Sequence, residues 1–149
     1  MRPKTPKAIK NGHENLYAEL ESIVELEGRI GENAKFLLEI MSAHFKKEEE
    51  YALPPLGFLL TLSEGGWEFD PDDAIRMSEK LRTELSELTK EHIDILSAAQ
   101  ELKIIAEEEN NLTAKQFVKD LKLHADIEDQ VLYPATILIG EYLKNLKAN

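Results

Sequence analysis

The sequence predicts an all-α fold, an antiparallel up-down four-helix bundle, from three observations. Apolar residues recur every three or four positions along four long segments, which is the spacing of amphipathic helices, whereas the alternation typical of strands is not evident. Glycine, proline or asparagine separates these segments. The connections between the first and second segments and between the third and fourth are short, which favours antiparallel neighbours. A chain of 149 residues fits one such domain.

The first two predicted helices each carry a stripe of residues on one face. The first stripe consists of His13, Leu16, Tyr17, Leu20, Ile23, Val24 and Glu27. The second consists of Leu37, Ile40, Met41, His44, Glu48 and Tyr51. Gly28 and Gly31 mark the turn between the two helices, and Pro54 and Pro55 end the second one. The segment LGFLLTLSE then resumes helix.

The last two predicted helices follow the break GGWEFDP, in which Asp70 and Pro71 suit the N-cap and first position of a helix. The third stripe consists of Leu81, Leu85, Leu88, His92, Ile95, Ala99, Leu102 and Ala106. The polar segment EEENNLT predicts a turn. The fourth stripe consists of Phe117, Leu121, His124, Glu128 and Val131. A kink at Pro134 precedes further helix through ATILIGEYLKNL.

Composition and charge exclude several classes of partner. Residues 1–10 carry four basic residues and no acidic one and are predicted to be a basic N-terminal tail, with the helical domain over 11–149. The net charge of −11 would repel phosphate backbones, so we expect no nucleic-acid partner. The longest apolar run is too short for a membrane span, so we expect no membrane partner and a cytoplasmic location. Because cysteine is absent, a metal must be held by His, Asp or Glu.

One pattern occurs twice in the sequence. HFKKEEEYALPP begins at residue 44 and HADIEDQVLYPA at residue 124, and in both a histidine precedes a glutamate by four positions and a proline by ten. The spacing of four places each glutamate one helical turn beyond its histidine and on the same face. Glu48 and Glu128 are therefore predicted to face the interior beside His44 and His124.

The four histidines of the chain share a second regularity, since each lies on the inward stripe of a different helix. If about three positions in seven face inward, chance would place all four there with a probability of about 0.03. His13 and His44 are equally far from the first predicted turn, and His92 and His124 from the turn near Asn110. The four side chains are therefore predicted to meet in one layer of the bundle.

Two carboxylates buried in that layer need a positive partner, because each uncompensated charge would cost several kcal/mol. Lys46, Lys47 and Lys122 are predicted to point outward and cannot supply it. Four imidazoles and two bridging carboxylates suit two metal ions. The sequence therefore predicts a dinuclear metal site in the core. A ferritin-like site is disfavoured because no Glu-x-x-His motif occurs.

His13, His44-x-x-x-Glu48, His92 and His124-x-x-x-Glu128 together resemble the hemerythrin-like, or HHE cation-binding, domain, and the resemblance extends from His13 through Pro134. It implies a non-haem di-iron centre with an oxo or hydroxo bridge between its two iron ions. It implies six metal ligands in this chain, namely His13, His44, Glu48, His92, His124 and Glu128. Iron rests on this resemblance, and the ligand chemistry alone leaves zinc and manganese open.

The resemblance also narrows the range of functions that we expect for the chain. Oxygen-carrying hemerythrins use five histidines, whereas this sequence has four, so it looks more like the variants associated with nitric oxide response, iron–sulfur repair, peroxide reduction or redox sensing. One hypothesis is a protein that binds or reacts with dioxygen, nitric oxide or peroxide, as enzyme or sensor. The alternative is an iron-binding structural or regulatory module that acts through a protein partner.

Four further residues lie near the predicted ligands but are not themselves predicted to bind the metal. Tyr17 and Tyr51 lie one turn beyond His13 and Glu48, and we interpret them as core residues, with a hydrogen bond to a bound ligand as the alternative. Glu14 and Glu91 adjoin ligand histidines in sequence. Since adjacent helix positions point apart, neither is expected to contact the histidine beside it.

Overall fold

The computed structural model describes residues 2–66 and 69–149, and every regular element within these ranges is helical, which confirms the all-α class. Trp67 and Glu68, in the predicted break, lie outside the described residues. The α-helices are α1 (Lys7–Val24), α2 (Arg29–Lys47), α3 (Leu59–Ser63), α4 (Asp72–Glu108), α5 (Leu112–Ile127) and α6 (Tyr133–Ala148). Among the described helices, none is both long enough and apolar enough to cross a membrane.

The ends of the helices follow local sequence signals. Gly28, immediately before α2, has a φ of 88°, a left-handed conformation that glycine adopts without a Cβ penalty. A Cβ at Gly31 would lie only 1.8 Å from the Leu26 carbonyl oxygen, so glycine there permits the close turn between α1 and α2. Asn111 caps α5 by accepting the Ala114 N–H at 2.9 Å.

The N-terminal segment is partly helical and lies against the rest of the protein. Helix α1 begins at Lys7, inside the range 1–10, and Pro3 is buried. The backbone also passes close to Gly57, where a Cβ would lie 2.0 Å from the Lys4 carbonyl oxygen. The start of the chain therefore packs against the body of the protein. The division into a tail and a domain over 11–149 stays a prediction.

The helices pack around α4, which is 37 residues long. It contacts α2, α5 and α6, while α1 packs against α2 and α5. One apolar cluster includes Phe45 and Phe117, and a second includes Tyr133 and Leu81. Phe45 stacks on His13 and Tyr133 stacks on His92, so the histidines lie where the two clusters meet.

Each repeat of the histidine–glutamate pattern ends in a π-helical turn. The turns are Glu48–Ala52 and Glu128–Leu132, and a short 3-10 helix, Pro54–Phe58, follows the first of them. In each turn the glutamate carbonyl accepts the N–H of the residue five positions later, at Leu53 and at Tyr133. This wider turn changes which side chains face inward. Val131, predicted to lie on the inward stripe, is 56% exposed.

The first π turn leaves the Ala52 carbonyl outside the regular helical pattern, and Thr136 of α6 satisfies it with a buried hydrogen bond of 2.6 Å. Replacing Thr136 with valine keeps the shape but leaves this carbonyl without a donor. We expect Thr136→Val to lower the free energy of unfolding by about 1–3 kcal/mol, measured by denaturant unfolding. Thr83→Val is the control, because the Thr83 hydroxyl is exposed and bonds only within its own helix. Equal stability of both variants would contradict the capping role.

Candidate metal centre

The six predicted site residues converge in the interior and form two overlapping sets of four. One set contains His13, His124 and both glutamates, and the other contains His44, His92 and the same glutamates. Within each set, one nitrogen or oxygen atom from every residue lies within 4.8 Å of the others. Both glutamates are fully buried, whereas the side chain of His124 is 18% exposed. The structure thus brings all six together, and their role as ligands stays a prediction.

Glu128 spans the two sets with its two carboxylate oxygens. Its Oε2 lies 3.0 Å from His124 Nε2 and 3.3 Å from His13 Nε2. Its Oε1 lies 3.1 Å from His92 Nε2, in the other set. One carboxylate therefore contacts histidines of both donor sets.

Glu48 also lies between the sets, and a tyrosine shares its position. Glu48 Oε1 is 3.5 Å from His13 Nε2 and 3.4 Å from His44 Nε2. Glu48 Oε2 accepts a hydrogen bond of 2.5 Å from the hydroxyl of Tyr133. The same hydroxyl lies 3.4 Å from Nε2 of both His44 and His92. Burial, together with the negative charges of Glu48 and Glu128, raises the pKa of Tyr133 above its ordinary value.

Tyr133 was not among the residues predicted near the ligands from the sequence, whereas Tyr17 and Tyr51 were. Tyr17 packs edge-on against Phe45, with ring centroids 5.3 Å apart, and the ring of Tyr51 lies beneath Lys80 Nζ at 4.8 Å. Their contacts support the interpretation as core residues. The repeat contained a signal for Tyr133, since it follows Glu128 by five positions, as Leu53 follows Glu48. Helical periodicity alone turns such a residue away, and the π turn brings it back.

Three of the histidines are oriented by carboxylates outside the layer. His13 Nδ1 donates to Glu49 at 3.2 Å, from the residue after Glu48. His92 Nδ1 donates in the matching way to Asp129 at 2.8 Å, from the residue after Glu128. Because a carboxylate only accepts, each bond keeps a proton on Nδ1 and directs Nε2 toward the centre.

The orienting partner of the third histidine comes from a different helix. His44 Nδ1 donates to Glu91 at 2.8 Å, and Lys47 holds the other oxygen of Glu91 at 2.5 Å. The expectation that Glu91 would not contact the adjacent His92 agrees with this geometry, but its role toward His44 was not predicted. Glu14, the other glutamate that adjoins a predicted ligand histidine in sequence, is exposed. Pairing between helices depends on their facing surfaces, which spacing along one helix does not give.

In the layer, the histidines interact with the negative charges of the two buried glutamates. Burial lowers the pKa of His92, but its hydrogen bond to Glu128 and the charges of Glu128 and Glu48 outweigh burial and raise that pKa to about 9. Burial and the charge of Glu128 raise the pKa of Glu48 to about 7. Burial also disfavours the charge of Glu128, but contacts with His124 and His13 among others hold its pKa well below the usual range. A cation could replace the protons on these histidines.

Two buried atoms of the layer test whether a metal ion fits. Glu48 Oε1 and His124 Nε2 lie buried without a hydrogen-bond partner among the described residues. His124 Nε2 and Glu128 Oε2 are 3.0 Å apart, but their alignment is not that of a hydrogen bond. Buried polar atoms of this kind are costly unless something binds them. Nitrogen and oxygen donors suit iron, zinc and manganese, so the residues present fit a metal ion.

Converging histidine and carboxylate side chains in the core of a helical protein indicate a cation-binding domain. The family model described as hemerythrin HHE cation binding domain matches residues 6–136. The chain therefore belongs to the hemerythrin family, as the resemblance predicted. No curated protein and no solved structure matches the chain.

Proposed function

We propose that the chain is an antiparallel four-helix bundle with a dinuclear iron centre in its core. α1, α2, α4 and α5 are its four helices, and their packing around the histidine layer supports this topology. His13 and His124 would hold one ion, and His44 and His92 the other. Glu48 and Glu128 would bridge them. The observation that carries the proposal is that the two sets of buried donors share both carboxylates.

The proposed activity is to bind or react with a small ligand, namely dioxygen, nitric oxide or peroxide, in redox or gas sensing or in a stress response. Bound iron would supply one-electron redox chemistry and open coordination positions, as at other non-haem iron sites with His and carboxylate ligands. The protein residues would hold the ions, and the carboxylates outside the layer would keep Nε2 of three histidines directed at them. The partial exposure of His124 supports ligand entry on that side.

Metal content tests the dinuclear proposal. We expect protein purified with iron to contain two iron ions per chain, because each set of donors offers two imidazoles and a share of two carboxylates. Elemental analysis against quantitative amino-acid analysis gives the ratio. A firm ratio of one would contradict the dinuclear centre, and an excess of zinc or manganese over iron would contradict the identity of the metal.

Ligand titration tests the activity. The anaerobically reduced protein is titrated with dioxygen, nitric oxide and peroxide and followed by visible spectroscopy, with the chelated protein as control. Fast, saturable spectral changes that require the metal support ligand chemistry. The alternative, an iron-binding structural or regulatory module acting through a protein partner, is favoured by the burial of two carboxylates whose charges need a cation. This alternative predicts that the added ligands leave the visible spectrum unchanged and that removal of the metal loosens the fold.

A further inference from the structure

The hydroxyl of Tyr133 lies among the donor atoms of one cation set. It is 3.4 Å from Nε2 of His44 and of His92 and 2.5 Å from Glu48 Oε2. Neighbouring donors on one metal ion, each bonded at about 2.1 Å and at right angles, are separated by roughly 3 Å. The two distances of 3.4 Å to the imidazole nitrogens are close to this separation, whereas the 2.5 Å contact with Glu48 is a hydrogen bond. Tyr133 is fully buried, so water does not compete for its hydroxyl.

Backbone geometry directs Tyr133 to this place. In a regular α-helix, a residue five positions after Glu128 would point about 140° away from it. The π turn Glu128–Leu132 closes with a bond from the Tyr133 N–H to the Glu128 carbonyl and brings both side chains to one side. The Tyr133 ring lies parallel to the His92 ring, with centroids 5.6 Å apart and planes within 7°. Packing therefore fixes the hydroxyl in its position.

The first copy of the histidine–glutamate pattern has no oxygen donor at the position equivalent to Tyr133. Leu53 follows Glu48 as Tyr133 follows Glu128, at the end of the equivalent π turn, and it is equally buried. Its side chain has no atom that could bind a cation. The two halves of the site thus differ by one oxygen donor at matched positions.

We infer that Tyr133 is a phenolate ligand of the ion held by His44 and His92. The inference rests on the dinuclear iron centre proposed above and adds a seventh protein ligand to it. On coordination the phenolic proton would pass through Glu48, its hydrogen-bond acceptor, to solvent, and the phenolate oxygen would bond to the cation in place of that hydrogen bond. Glu48 Oε2 then becomes free to bind the same ion. The ion held by His13 and His124 keeps one protein donor fewer and is the less shielded of the two.

Resonance Raman spectroscopy of the iron(III)-loaded full chain tests the assignment. A phenolate bound to iron(III) gives a charge-transfer band in the visible, and excitation in that band enhances tyrosine ring modes. We expect these modes in the wild type, a shift when the protein is made with ring-deuterated tyrosine, and their loss in Tyr133→Phe. Tyr51→Phe is the control, since Tyr51 is also buried but lies beneath Lys80. We also expect Tyr133→Phe to weaken binding of one iron by roughly 10–100-fold or more.

The outcomes separate this inference from the dinuclear proposal. Two irons per chain without phenolate modes, or with modes that survive in Tyr133→Phe, would overturn the inference and leave the dinuclear centre intact. Such a result would make Tyr133 a hydrogen-bond donor to Glu48 only. One iron per chain, with modes that Tyr133→Phe removes, would support the ligand and overturn the dinuclear centre. A wild type that binds no iron overturns both. Far-UV circular dichroism confirms that each variant is folded.

Discussion

Replacing Glu128 with alanine is expected to weaken the binding of both cations. The two carboxylate oxygens of Glu128 face different donor sets, within 3.0 Å of His124 and 3.1 Å of His92, so one substitution takes a donor from each ion. Loss of an outer partner costs roughly 10–100-fold in metal affinity, and loss of a shared ligand should cost more. We expect iron content to fall from two ions per chain to below one, measured by elemental analysis.

Glu14→Ala is the matched control for Glu128→Ala. Glu14 adjoins His13 in sequence but is exposed, so its removal should leave the iron content at the wild-type value. Circular dichroism of both variants checks the helices. Wild-type iron content in Glu128→Ala would show that Glu128 is not a ligand.

Removing the cations is expected to destabilise the protein, and the loss should grow with pH. Glu48 and Glu128 are fully buried, and without a cation their charges depend on protons held by the histidines. At pH 8 we expect the metal-free form to unfold with a free energy several kcal/mol lower than the metal-bound form. Thermal and denaturant unfolding of both forms measures the difference.

The pKa values set the direction of this pH dependence in the metal-free form. The pKa of His92 is raised from 6.5 to about 9 on folding, so its contribution to stability is complete below pH 6.5 and is lost as pH rises through 9. The pKa of Glu48 is raised from 4.5 to about 7, so its contribution is likewise lost as pH rises through 7. The metal-free protein should therefore lose stability between pH 5 and pH 9.

Metal binding has the opposite dependence on pH, because ligation requires neutral imidazoles and protons compete for the same nitrogens. The stability gap between the metal-bound and metal-free forms should widen from pH 5 to pH 9 and close at the acid end, where metal is released. Unfolding at pH 5, 7 and 9 tests this, with the metal-free protein as reference. A gap that stays constant or narrows toward pH 9 would contradict a cation at these histidines.

Much of the fold and of the candidate site could be predicted because both depend on helical spacing. A four-residue interval places His44 and Glu48 on one face whatever the details of packing, and equal distances from a turn place His13 and His44 at one level. The same reasoning failed where the backbone leaves the α-helical repeat. Val131 turned outward and Tyr133 turned inward, because a π turn follows Glu128.

Contacts between helices were the other feature that the sequence did not allow us to predict. The pairing of Glu91 with His44 joins α4 to α2, and the sequence of one helix does not contain the position of its neighbour. The same holds for Thr136, whose hydroxyl satisfies a carbonyl of the first π turn. Glu49 and Asp129, which bond to His13 and His92, directly follow the two repeated glutamates. A comparison of the two repeats could therefore have found them.

The two π turns give both halves of the site the same local backbone. A π turn holds one more residue than an α-helical turn, because its hydrogen bond spans five positions instead of four. Both π turns begin at the glutamate of the repeat and end before the position of Leu53 or Tyr133. Because the backbone is the same in both halves, the chemical difference between them depends on the side chain that follows each turn, which is leucine in one half and tyrosine in the other.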